Sequence, residues 1–125
     1  PGNHGSTFGG NQLAMAAALT TLHVIERDRL IDNAIEIGQL IRDQLAVALA
    51  DAKGVVEIRG RGLMIGIELD RPCSELVTRG MSEGLLINVT AEKVVRLLPP
   101  LTFSAEEARE LVVRLSSLIR LFLTA

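Results

Sequence analysis

The stretch 55–69, VVEIRGRGLMIGIEL, constrains this chain most, because its hydrophobic residues recur at every second position. Val56 and Ile58, then Leu63, Ile65, Ile67 and Leu69, alternate with smaller or polar residues, which is the spacing of strands with one buried face. Gly60 and Gly62 stand between the two halves and favour a tight antiparallel connection, and Arg71-Pro72 ends the second strand. A lone hairpin cannot bury its apolar face, so the flanking segments must cover it.

Those segments repeat at helical spacing. Asn11 is an N-cap candidate for a helix from Leu13 to about Arg27, whose first half, LAMAAAL, is apolar on every face and is predicted to be buried all round. A second helix runs from Leu30 to Ala52, with Ala34, Ile37, Ile41, Leu45, Ala48 and Leu49 on one stripe and Gly54 just past its end. Residues 73–82 read as a short helix stopped by Gly80 or Gly84, and 85–88 and 94–97 as two short strands, the second closed by Pro99-Pro100. Ser104-Ala105-Glu106-Glu107 is a capping box with Phe103 as hydrophobic staple, opening a helix whose apolar face includes Ala108, Leu111, Val112, Leu115, Leu118, Ile119 and Phe122. Strands and helices do not alternate one for one. The fold class this predicts is α+β, a small, mostly antiparallel sheet packed against helices, preceded by a loop and one connecting helix.

Composition narrows the function classes. The 125 residues are 48% hydrophobic and 22% charged, with no Trp or Tyr, so the core must be aliphatic. A net charge of −2, without basic runs interleaved with aromatics, points away from a nucleic-acid partner. No apolar run reaches the ~18 residues that span a bilayer. The single cysteine, Cys73, can form no internal disulfide and reads as an ordinary thiol of a reduced, cytoplasmic chain. The chain opens at Pro1-Gly2 without Met and reaches a ligand-type loop at once, which is the expectation for a piece of a longer protein.

That loop is HGSTFGGN, His4 to Asn11. Backbone N–H groups ahead of a helix, close-approach glycines and the adjacent hydroxyls of Ser6 and Thr7 suit an anion, while a ligand-free glycine turn is the alternative. It is not a Walker loop, because the G-x-x-x-x-G frame from Gly5 to Gly10 is followed by Asn11-Gln12 instead of Lys-Ser/Thr. RGRGLMIG is not a dinucleotide fingerprint either, since a strand follows where a helix is required; Arg59 and Arg61 then read as solvated. Arg96, in VVRLLPPL, is either a snorkelling arginine or a planar clamp for a carboxylate. His4 and His23 form no metal pair, His23 reads as a structural helix residue, and no zinc or calcium spacing is present. Neither Lys53 nor Lys93 has the apolar surroundings that make a lysine amine nucleophilic.

Taken in order and spacing, HGSTFGGNQLAMAAAL, IRGRGLMIGIEL, GLLINVT and VVRLLPPLTF resemble the C-terminal portion of class III (fold type I) pyridoxal-phosphate aminotransferases. The first motif is shared across that class. LLINVT with VVRLLPPLT is more specific to the acetylornithine, succinylornithine and ornithine branch, closest to the acetylornithine enzymes. Gln12 departs from the family, where Pro is usual, and Gln is acceptable in a first helical turn.

The resemblance implies that Thr7, with Ser6 beside it, binds the phosphate of pyridoxal 5'-phosphate across a homodimer interface, and that Arg96 pairs with the α-carboxylate of the amino-acid substrate. It implies that residues 1–30 are the end of the large cofactor domain and the interdomain helix, and that residues 31–125 are the C-terminal small domain. The family's cofactor lysine and the acidic partner of the pyridine nitrogen both precede the glycine loop. This segment therefore carries no catalytic residue and is predicted to be inactive alone, with amino and 2-oxo acids as substrates of the complete enzyme. The implied activity is amino transfer between N-acetylornithine and 2-oxoglutarate in arginine biosynthesis. The alternatives are ornithine or succinylornithine as donor, or a non-catalytic anion-binding or dimerisation module.

Overall fold

A computed structural model describes residues 5–124. The elements, in chain order, are α1 (Gln12–Arg27), α2 (Leu30–Ala48), β1 (Val55–Arg61), β2 (Met64–Leu69), α3 (Glu75–Ser82), β3 (Asn88–Thr90), β4 (Val94–Leu97) and α4 (Ala105–Thr124). The strands form one sheet in the order β1-β2-β4-β3, every neighbour antiparallel. Helices α2, α3 and α4 cover one face, and Ile65, Ile67 and Leu69 of β2 are enclosed there with Ile41 and Leu45 of α2 and Leu115 and Ile119 of α4. The α+β class is the one the hydrophobic periods imply, and the sheet is antiparallel throughout.

The hairpin closes through Gly62-Leu63, with Gly62 at φ +53, a left-handed conformation suited to glycine. α2 crosses directly over this turn. A Cβ on Gly38 would lie 2.0 Å from the Gly62 carbonyl oxygen, and Arg42, one helical turn on, donates to that same oxygen at 3.2 Å.

Four local readings need correction. α2 stops at Ala48, short of Ala52, because Arg120 of α4 donates Nε and Nη2 to the Ala48 carbonyl at 3.0 and 2.6 Å and pairs with Asp51 in the turn that follows. Its last carbonyl is thereby satisfied from outside the helix. The strand placed at 85–88 begins only at Asn88, because α3 ends in a Schellman closure. Gly84 sits at φ +73, its N–H bonds the Met81 carbonyl at 3.2 Å, and Leu85 N–H bonds the Gly80 carbonyl at 2.8 Å. β1 carries a register shift between Val55 and Glu57, which turns Val56 outward at 62% exposure and leaves Ile58 half-buried. Lastly, α1 buries none of its residues, contrary to the all-round burial its apolar half predicts. Among the described elements it packs on α2, while Leu13, Met15, Leu19 and Leu22 face outward.

The start of α4 follows the sequence closely. Ser104 donates its N–H and its hydroxyl to Glu107 Oε2 at 2.8 and 2.7 Å, and the Glu107 N–H returns a bond to Ser104 Oγ at 3.2 Å. Ser104→Ala should cost about 1 kcal/mol in urea unfolding near neutral pH. The Ser104 hydroxyl, and then its amide, hold the Glu107 carboxyl below its ordinary value. Stability from a depressed carboxyl is present above its unfolded value and lost as pH falls through the folded one. The urea midpoints of the wild type and the variant should therefore converge on acidification.

Candidate functional site

Two places carry the residues that could hold a ligand. The first is the outer face of the sheet, away from the helices. Side chains alternate across a strand, so residues paired with one another share a face. Arg59 of β1, Gly66 of β2, Arg96 of β4 and Asn88 of β3 lie level in one row; Glu57, Glu68, Val94 and Thr90 form the next. Arg96 is exposed while its strand neighbours Val95 and Leu97 are buried, so its guanidinium belongs to this outer face.

The charges in these rows are not equivalent. Arg59 Nη1 lies 2.6 Å from both Glu57 Oε2 and Glu68 Oε2. Those two contacts, that to Glu68 first, hold the Arg59 guanidinium protonated still more firmly than usual. The Arg96 side chain makes no ion pair and no hydrogen bond among the described residues. A planar fork left open on a polar sheet face is suited to bidentate capture of a carboxylate. Sequence reasoning treats Arg59 as solvated and misses this clamp. The signal is Glu57 at two residues' distance on the same strand face, with Glu68 one strand over.

The second place is the loop before α1. Its residues 5–10 are exposed. Gly9 N–H bonds the Ser6 carbonyl and Asn11 N–H bonds the Phe8 carbonyl, both at 3.3 Å. Asn11 Oδ1 caps the helix by accepting from Ala14 N–H at 2.9 Å, as the sequence predicts. Gly10 has φ +80, and a Cβ on Gly5 or Gly10 would meet nothing within 4 Å. The Ser6 and Thr7 hydroxyls make no hydrogen bond among the described residues. Hydroxyls and backbone amides without a carboxylate among them form a donor set that fits a phosphate group. Thr7 and Arg96 are carried by separate parts of the fold, and no hydrogen bond or ion pair joins the loop to β4 among the described residues.

The remaining candidates separate clearly. His4 lies outside the described residues. His23 is exposed on α1. Lys53 and Lys93 are exposed in turns beside the sheet. Cys73 is fully buried, and burial pushes its thiol up, away from the thiolate a nucleophile needs. Gly60 does close-packing work, since a Cβ there would lie 2.4 Å from the Met64 carbonyl. No group of metal-ligating side chains occurs, and no helix is long and apolar enough to cross a membrane, among the described residues. An open groove of about 530 Å³, lined by Leu86, Leu98, Pro99 and Phe103 and rimmed by Glu110 and Arg114, runs past the end of β4 and does not include Arg96.

The profile of the family described as Aminotransferase class-III matches residues 1–119. The chain belongs to the class-III aminotransferases. Among curated class-III relatives, acetylornithine aminotransferase 1 of Bordetella pertussis is 58% identical over 98% of this chain and 31% of its own length. Acetylornithine aminotransferase of Bacillus subtilis is 41% identical over 95% of this chain and 31% of its own. Two solved aminotransferases superpose closely. Ornithine delta-aminotransferase of Plasmodium falciparum gives a TM-score of 0.90 at 33% identity, over 99% of this chain and 32% of that one. Acetylornithine aminotransferase of Elizabethkingia anophelis gives 0.85 at 34%, over 95% and 31%. This class-III chain thus spans about a third of the length of the relatives it matches.

Proposed function

We propose that the complete protein is an acetylornithine aminotransferase, exchanging an amino group between N-acetylornithine and 2-oxoglutarate in arginine biosynthesis. The observation that carries this is the 58% identity, across nearly the whole chain, to the Bordetella pertussis protein of that name. Within it, residues 31–125 are the small domain and residues 1–30 the end of the cofactor domain with its outgoing helix. The exposed apolar side chains of α1, Leu13 at 82% above all, support a homodimer in which the rest of the enzyme covers them. We place the complete protein in the cytoplasm.

Pyridoxal 5'-phosphate, when bound, supplies the electron sink that makes amino transfer feasible. This chain's part is to bind and orient. Thr7, with Ser6, donates hydroxyl hydrogen bonds to the cofactor phosphate at the head of α1, where the helix dipole also favours a dianion. Arg96 takes the substrate α-carboxylate on both edges of its fork and so fixes the amino-bearing carbon in one orientation. By the resemblance to the family, the lysine that holds the cofactor precedes the glycine loop and is supplied by the rest of the enzyme, so the isolated segment is expected to be inactive.

Thr7→Ala in the full-length enzyme should weaken cofactor retention roughly 10- to 100-fold, the equivalent of one charge-assisted hydrogen bond. Dialysis followed by absorbance of the retained cofactor measures it. Ornithine is the lesser alternative donor, suggested by the 33% identity to the Plasmodium falciparum ornithine delta-aminotransferase. Steady-state kcat/KM with N-acetylornithine, ornithine and succinylornithine separates them; a clear preference for either of the latter two would displace the first assignment.

A further inference from the structure

The outer sheet face holds a charge arrangement that the role given to Arg96 does not use. Glu68 is register-paired with Glu57 on β1 and with Val94 on β4, while Gly66, two residues earlier, is paired with Arg59 and Arg96. Glu68 therefore stands diagonal to two arginines, one on each neighbouring strand. Such diagonals are roughly 7–8 Å apart at the backbone, a span that long side chains close. Glu68 closes only one of them, on Arg59 at 2.6 Å. Level with Arg96 on β2 is Gly66, which has no side chain of its own, so that only the short Val94 side chain, with a methyl 3.2 Å from where a Gly66 Cβ would stand, lies over this part of the face. A carboxylate that turned to Arg96 would take the N–H edges a ligand needs. What engages Glu68 on the other side is Arg59, itself anchored by Glu57 at 2.6 Å.

We propose that Arg59 is a positioning residue that, anchored by Glu57, holds Glu68 away from Arg96 and so keeps the Arg96 guanidinium open to a ligand carboxylate. This rests on the assignment of Arg96 to carboxylate binding. Glu68 then acts as an internal competitor that is kept occupied. Removing its partner should weaken ligand binding, and removing Glu68 as well should restore it. A merely structural role for Arg59 gives no such rescue.

The test uses the full-length holoenzyme that carries this segment, with glutarate as an unreactive dicarboxylate probe titrated by calorimetry. Arg59→Gln should raise the glutarate Kd about fivefold, the scale of one partly exposed ion pair. Arg59→Gln/Glu68→Gln should return it to within about twofold of wild type. Arg59→Lys, whose single ammonium holds the two carboxylates less well, is the second variant should Arg59→Gln not fold, and gives a smaller rise. Arg96→Ala, run in parallel, should abolish measurable binding. If Arg96→Ala weakens glutarate while Arg59→Gln and Arg59→Lys leave it unchanged, or if the double variant stays as weak as Arg59→Gln, the role of Arg59 is wrong and that of Arg96 stands. Unchanged binding in Arg96→Ala would overturn both.

Discussion

Gly38→Ala should destabilise the domain by about 3 kcal/mol, although alanine is the better helix former. In an exposed helix the exchange would stabilise by roughly 1 kcal/mol, so the expected sign is reversed. The reason is the 2.0 Å that would separate the new Cβ from the Gly62 carbonyl oxygen, with the Gly62 carbonyl carbon at 2.4 Å. Those are backbone atoms of a two-residue turn, and no rotamer change can move them. Relief requires α2 to rise off the hairpin, which strips contacts from Ile41 and Leu45, both fully enclosed. Gly66→Ala is the control: its nearest neighbour is a Val94 methyl at 3.2 Å, which can shift by a few tenths of an ångström. Thermal and urea unfolding of both variants, in the full-length enzyme, should show a large loss for the first and a small one for the second. Equal losses would mean that α2 yields more readily than its packing implies.

Arg96→Ala should lower kcat/KM for the amino donor by roughly a hundredfold to a thousandfold, chiefly through KM, with cofactor retention nearly intact. The magnitude is that of truncating one side of a bidentate, charge-assisted pair, and the split follows from a contact made with the substrate before and during reaction. Arg96→Lys should recover only part of the loss, because an ammonium cannot present two parallel N–H donors to a carboxylate. The loop variant Thr7→Ala should show the opposite pattern. Were the two phenotypes interchanged, with Arg96→Ala shedding the cofactor and Thr7→Ala raising KM, the roles proposed for the sheet and the loop would both fail.

How far these features are legible in the sequence depends on how local they are. The Ser104–Glu107 capping box, the Asn11 cap and the alternation through Ile65, Ile67 and Leu69 each rest on neighbours in the chain, and each appears where the sequence places it. The motifs that resemble the class-III aminotransferases are legible for the same reason. Arg96 can be singled out as an arginine within an apolar strand, but not as an arginine left open beside an occupied one. That distinction needs Glu57 and Glu68 brought to Arg59 by strand pairing.

The residue pattern by itself determined the fold class and the order of its elements, because hydrophobic period, caps and turn glycines act over a few residues; the family was legible only through the resemblance of its motifs. Tertiary structure decided where α2 ends, since the guanidinium that satisfies the Ala48 carbonyl arrives from α4, 72 residues away along the chain. It decided the start of β3, where closing α3 takes the Leu85 N–H before the sheet begins. It also decided that Gly38 is a contact and not a flaw in a helix, and that Glu68 faces two arginines and bonds one. In each case the deciding partner is distant in sequence and near in space, and only packing brings it there.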